Sequence, residues 1–112
     1  MMKDKLDEAQ FEARTGLELA QAAMAEAVQV LAKAEKFKAA VDAVVEAYAN
    51  APKPEAFQET LGSSLQLGEE MSQEGANAIE DLIYGFSRMR NGKLLLLDAM
   101  EDLEDMEAAK NR

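Results

Sequence analysis

The groups that could do chemistry in this chain are almost all carboxylates. The densest run is Asp98-Ala-Met-Glu101-Asp102-Leu-Glu104-Asp105-Met-Glu107, six acids in ten residues. Carboxylates at that density can hold a hard cation, work as an acid–base pair, or dock on a basic surface. The first use fails on spacing. A calcium loop needs oxygen ligands at alternate positions around a glycine-bearing turn, and a carboxylate di-iron site needs Glu-x-x-His pairs. The run holds no glycine and the chain no histidine, so no metal and no cofactor is expected. The second use needs a concave site that perturbs the acids, and a thin helical chain offers no evident one. The third use remains. Asp98, Glu101, Asp102, Glu104 and Asp105, interleaved with Met100, Leu103 and Met106, are expected to form an amphipathic helix that docks a basic partner surface. The plainer use of the same run is a solvated face that keeps a self-associating protein soluble.

Other chemistry finds no footing. Ser63, Ser64, Ser72 and Ser87 have no histidine to activate them, and cysteine and tryptophan are absent too. Those absences exclude a disulfide scaffold, a zinc finger and every His- or Cys-dependent nucleophile. Gly62-Ser63-Ser64 lacks the glycine and lysine spacing of a phosphate loop. The chain is therefore expected not to be an enzyme. Arg88, Arg90 and Lys93 form the basic cluster of the second half, around Asn91-Gly92. They suit the C-terminal dipole of a helix ending there, or a contact with the acidic helix of a neighbouring subunit.

The elements that carry these groups read as helices. No segment alternates with period two, so no sheet is expected. Asn50-Ala51-Pro52-Lys53-Pro54 contains the only two prolines. Proline lacks the amide that a helix interior needs and pushes its predecessor out of the helical region. A first helix is expected over about 4–49, a proline turn over 50–54, and a second helix over about 54–90. Asn91-Gly92 then reads as a stop, and a short third helix over about 93–109 follows, separate or continuous. A rival parse leaves 62–67 irregular and restarts the helix at Ser72, a plausible N-cap. The fold class is all-α: one helical domain over 1–112, a long antiparallel hairpin with a coiled-coil-like, Ala/Gly-rich seam, associating into a bundle.

Each half carries that seam. Steps of four and three from Leu6 pass through Leu17, Ala20, Met24, Ala27, Leu31 and Ala34. Steps from Leu61 pass through Ser64, Gly68, Met71, Gly75, Ala78, Leu82, Gly85, Met89, Gly92, Leu96 and Ala99. Bulky residues alternating with alanine or glycine let two backbones reach the short end of the 8–10 Å range. Leu17, Ala20, Met24, Ala27, Leu31, Gly68, Met71, Gly75, Ala78 and Leu82 are thus the expected self-association seam. Lys38 lies on the strict series. A straight helix drifts about 20° per heptad against it, so Phe37 is expected to take that place.

Composition sets the limits on partners. Of 54 apolar residues 21 are alanine, a thin supply of core. Phe11, Leu19, Val28, Val30, Leu65 and Leu94–Leu97 lie partly off any single seam, and a hairpin of this length has too little cross-section to cover them. Either a homo-oligomer covers them, or the third helix folds back. A net charge of −10 argues against direct binding to nucleic acid or an anionic membrane. The start, MMKDKLDEAQ, has acids where a signal peptide needs an apolar run. A cytoplasmic location is expected, with export lacking a cleaved signal left open.

A helical hairpin with a proline turn at Pro52-Lys53-Pro54 is similar in outline to bacterial type III secretion needle subunits and to the secreted hairpins that carry a W-x-G turn. The likeness stops at shape. The chain has no tryptophan, and neither Tyr48 nor Tyr84 begins a Y-x-x-x-D/E signal. Two further classes of function stay open beside assembly, all of bacterial or phage type. One is an acidic decoy that imitates nucleic-acid phosphates through Glu69, Glu70, Glu74, Glu80 and Asp81. The other is a small secretion chaperone that cradles a partner helix.

Overall fold

The computed structural model describes residues 1–111. They form two helices, α1 (Met2–Asn50) and α2 (Pro54–Lys110), with no strand among the described residues. Alanine, leucine, lysine and glutamate propagate α1 without an interior proline. The turn closes tightly: the Ala51 amide donates to the Ala47 carbonyl at 3.0 Å, and the Lys53 amide to the Ala51 carbonyl at 2.7 Å. Pro54 opens α2, where its missing amide costs nothing, and Glu55 follows in the first turn.

The separate third helix is not there. α2 runs through Asn91-Gly92 without a break, and the irregular 62–67 segment of the rival parse is helical as well. Gly92 stops a helix only by turning left-handed, and no glycine has a positive φ. Gly92 is used differently. A Cβ on it would lie 3.1 Å from the Ala9 carbonyl oxygen, so its bare Cα seats one helix on the other.

The chain packs as two units, Met1–Ala23 with Glu80–Arg112 and Met24–Ile79. In each, a stretch of α1 lies antiparallel to a stretch of α2. In the first unit the contact line is made of small residues: Ala9, Gly16 and Ala20 on α1, Gly85, Gly92 and Ala99 on α2, all buried. The closest approach is at Gly16 and Gly85. A Cβ on Gly85 would meet the Ala20 amide nitrogen at 2.8 Å and the Gly16 carbonyl oxygen at 2.9 Å.

In the second unit Gly68 accommodates the Phe37 ring, 2.6 Å from where its Cβ would sit. Phe37 is half-buried while Lys38 is exposed and pairs with Asp42 at 2.9 Å. The drift of a straight helix therefore does bring Phe37 to the contact. Buried Ser64 donates to the Thr60 carbonyl at 2.8 Å, satisfying its hydroxyl inside the helix. Near the turn, Tyr48 and Phe57 meet edge to face at 5.4 Å. Among the described residues the buried apolar ones are alanines, and no large side chain is fully buried.

Candidate interaction surface

With a core of alanine and glycine, the bulky side chains lie outside. In an antiparallel pair, one step past the contact position turns either helix toward the same side. The two helices run oppositely but share one hand, so position i+1 on each falls on a common flank. In the first unit that flank carries Leu17, one step past Gly16, and Phe86, one step past Gly85. Ile83 lies three residues before Phe86. Their exposures are 48%, 56% and 60%. Farther along the same flank come Arg14, Arg90 and Lys93, then Leu97 and Met100. An open groove of about 390 Å³ adjoins it, walled by Leu6, Met89 and Leu96 over a floor of Ala9, Ala13 and Gly92.

The corresponding flank of the second unit holds Met24, Val28 and Leu31 on α1 and Ile79 on α2, between 52% and 64% exposed. Ser72 and Ala76 are its small residues, and Glu35 and Glu69 follow at the next steps. Acids are sorted sharply by side. On the flank so defined no acid falls from Gln10 to Gln21 or from Ile83 to Met100 in the first unit, nor from Met24 to Leu31 or from Ser72 to Ile79 in the second, although the chain has 22. In the first unit Glu8, Glu18, Glu80, Asp98, Glu101 and Asp105 occupy the opposite flank instead.

The expected seam residues thus divide. Gly68, Met71, Gly75, Ala78 and Leu82 on α2 are buried or half-buried against α1 of the same chain, as are Ala20 and Ala27 on α1. Leu17, Met24 and Leu31 are exposed. The heptad-like series from Leu6 spans two apolar stripes, which share the alanines between them. Among the docking acids, Asp98, Glu101, Glu104 and Asp105 are exposed, whereas Asp102 is half-buried and accepts from Lys5 Nζ at 2.9 Å. That hydrogen bond, aided by the nearby acids, holds the Lys5 ammonium above its ordinary value despite desolvation.

Arg88 differs from the sequence reading. It cannot compensate a helix end at Asn91-Gly92, because α2 does not end there. It crosses instead to Glu12 on α1, pairing Nε with the carboxylate, and its NH1 donates to the Tyr84 hydroxyl at 3.0 Å. Its guanidinium stands 5.9 Å from the ring centres of both Phe11 and Tyr84. The bond to Glu12, then that to Tyr84, raise its pKa further. Of these contacts the sequence alone shows only the i, i+4 spacing of Tyr84 and Arg88. In the second unit Lys33 pairs with Glu74 at 2.7 Å and lies 4.0 Å from Glu70. Its pKa is raised, chiefly by the hydrogen bond to Glu74.

Among the described residues no cluster of carboxylates is arranged to hold a metal ion, and no helix is long and apolar enough to cross a membrane. Comparison with known proteins finds no matching family, no matching characterised protein and no matching solved structure. The surface itself is therefore the guide to function.

Proposed function

We propose that this chain is a non-enzymatic helical assembly protein that associates with further copies of itself. One observation carries the reading: its core is alanine and glycine, while its leucine, isoleucine, methionine and phenylalanine side chains are largely exposed. The chain leaves 8522 Å² accessible to solvent. A folded monomer of 12.2 kDa leaves about 6,100 Å². Exposed apolar patches beyond a few hundred Å² mark interaction surfaces. The alternative cover, a third helix folded back, is removed by the continuity of α2.

The acidic-decoy reading has less support. Glu70 and Glu74, two of its five acids, are turned toward Lys33, so they do not form a free row of phosphate-like charge. Light scattering on a sizing column over a hundredfold concentration range tests the assembly reading. A dimer or larger species is expected. A monomer at every concentration overturns it and leaves the chaperone reading, in which the exposed stripe receives a foreign helix.

A further inference from the structure

We infer that the two flanks of the first unit are complementary docking faces, the acid-free flank of one copy resting on the acidic flank of the next. The inference rests on the assembly reading and names the faces that meet. Both faces belong to Met1–Ala23 with Glu80–Arg112, and the contact uses no other part of the chain.

Its first support is charge. On the acid-free flank, from Gln10 to Gln21 and from Ile83 to Met100, the charged residues are Arg14, Arg90 and Lys93. The opposite flank carries Glu8, Glu18, Glu80, Asp98, Glu101 and Asp105. The bases on that side, Lys5 and Arg88, are already engaged by Asp102 and Glu12 of their own chain. Either flank set against its own kind brings base to base or acid to acid. Set against the other, it meets opposite charge.

The second support is apolar surface on both faces. Phe11, Tyr84 and Leu94 are exposed among the acids, as Leu17, Ile83 and Phe86 are beside the bases. One contact takes both sets out of water.

The third support is register. Along α2 the acid-free flank reads Phe86, Arg90, Lys93, and the acidic flank reads Leu94, Asp98, Glu101. The spacing is four then three in both, and the two series lie eight residues apart. A parallel copy displaced by those eight residues, about 12 Å along the helix, sets Phe86 toward Leu94, Arg90 toward Asp98 and Lys93 toward Glu101. α1 runs the other way, and the same displacement brings Arg14 between Asp4 and Glu8. Each contact uses two different faces, so every assembly keeps one of each free. Growth therefore continues past the dimer unless a ring closes.

The chain has no cysteine, so introduced thiols report the contact. A chain carrying both Phe86→Cys and Leu94→Cys is expected to give a ladder of covalent multimers with a short thiol-to-thiol linker. Phe86→Cys alone and Leu94→Cys alone are expected to stay unlinked, and to link to each other when mixed. Lys93→Glu and Glu101→Lys should each weaken self-association about tenfold or more, and the two in one chain should restore it. Circular dichroism confirms that these exposed substitutions leave the helices intact. If the native chain assembles but the mixture does not link and the charge swap does not rescue, the faces are wrong while the assembly reading stands. If the native chain is monomeric at every concentration, both fall.

Discussion

Two glycine-to-alanine substitutions in one helix should have opposite effects. Gly62 and Gly85 both lie inside α2, so replacing either with alanine recovers about 1 kcal/mol of helix propensity. Nothing lies within 4 Å of a Cβ built on Gly62, so Gly62→Ala should show that gain in full. On Gly85 the new methyl would be 2.8 Å from the Ala20 nitrogen, 2.9 Å from the Gly16 oxygen and 3.2 Å from the Ala20 Cα. Ordinary contact begins near 3.5 Å. All three neighbours are backbone, so no side chain can rotate away. The helices must part locally, by about 0.7 Å, and a gap of that size forfeits a quarter to a half of each contact around it. Overpacking of this kind costs about 1–3 kcal/mol. The upper part of that range applies, and after the propensity gain Gly85→Ala should be destabilised by about 1–2 kcal/mol.

The two variants should therefore differ by about 2–3 kcal/mol, or at least 8 °C in melting temperature for a chain of this size. Thermal melts followed by circular dichroism at one fixed protein concentration read this directly, since association raises apparent stability. If Gly85→Ala melts at or above the native temperature, the backbone contact is not as close as described. The account of why α2 carries glycine would then fail.

Other perturbations test the cross-helix pairs. Glu12→Gln removes the charge opposite Arg88 while keeping shape, and should lower the melting temperature; an unchanged melt would mean that the pair is idle. Lys5, Lys33 and Lys38 all have pKa values raised above the ordinary 10.5, each chiefly by a hydrogen bond to a carboxylate. A raised folded value means their contribution is complete below pH 10.5 and disappears as pH climbs through the higher folded values. A Lys5→Met, Lys33→Met variant should melt below the native protein at neutral pH, with the gap closing above pH 10.5; a gap still intact at about pH 12 refutes the linkage. Phe37→Ala leaves empty the space over Gly68 and should destabilise by about 2–3 kcal/mol, at or below the roughly 3–5 kcal/mol of a fully buried ring because Phe37 is only half-buried. A loss under about 0.5 kcal/mol would show that the ring is not packed there.

What was legible in the sequence follows from how unambiguous each signal was. The proline turn was plain because two prolines forbid helix over the same few residues. The α2 contact line was legible because glycines inside a long helix are costly and must be offset by close packing. The α1 line was harder. Leu17, Met24 and Leu31 recur every seven residues, and so do Gly16, Ala23 and Val30 one step earlier. Hydrophobicity favours the leucines, whereas the backbone approach at Gly85 demands the glycine and alanines. Spacing within one helix cannot choose between such stripes; the partner helix does. Arg88 was misplaced for a related reason, since its role depends on Glu12, distant in sequence and beside it only after the helices pair.

The same division explains how so acidic a chain could assemble. Each helix carries two apolar stripes: the small one pairs the helices within the chain, and the large one is left on the surface, where the proposed assembly would use it. The small stripe sets the helices close, which drives the large side chains out onto the flanks rather than into a core. If those side chains were buried inside, the monomer would be self-sufficient and its charge would simply keep copies apart. With them outside, the acids must avoid whichever flank is to be covered. In the first unit they do so from Gln10 to Gln21 on α1 and from Ile83 to Met100 on α2. Net charge sets the solubility of the free chain. Under the proposed assembly, the placement of that charge decides which flank a partner could cover without bringing acid against acid.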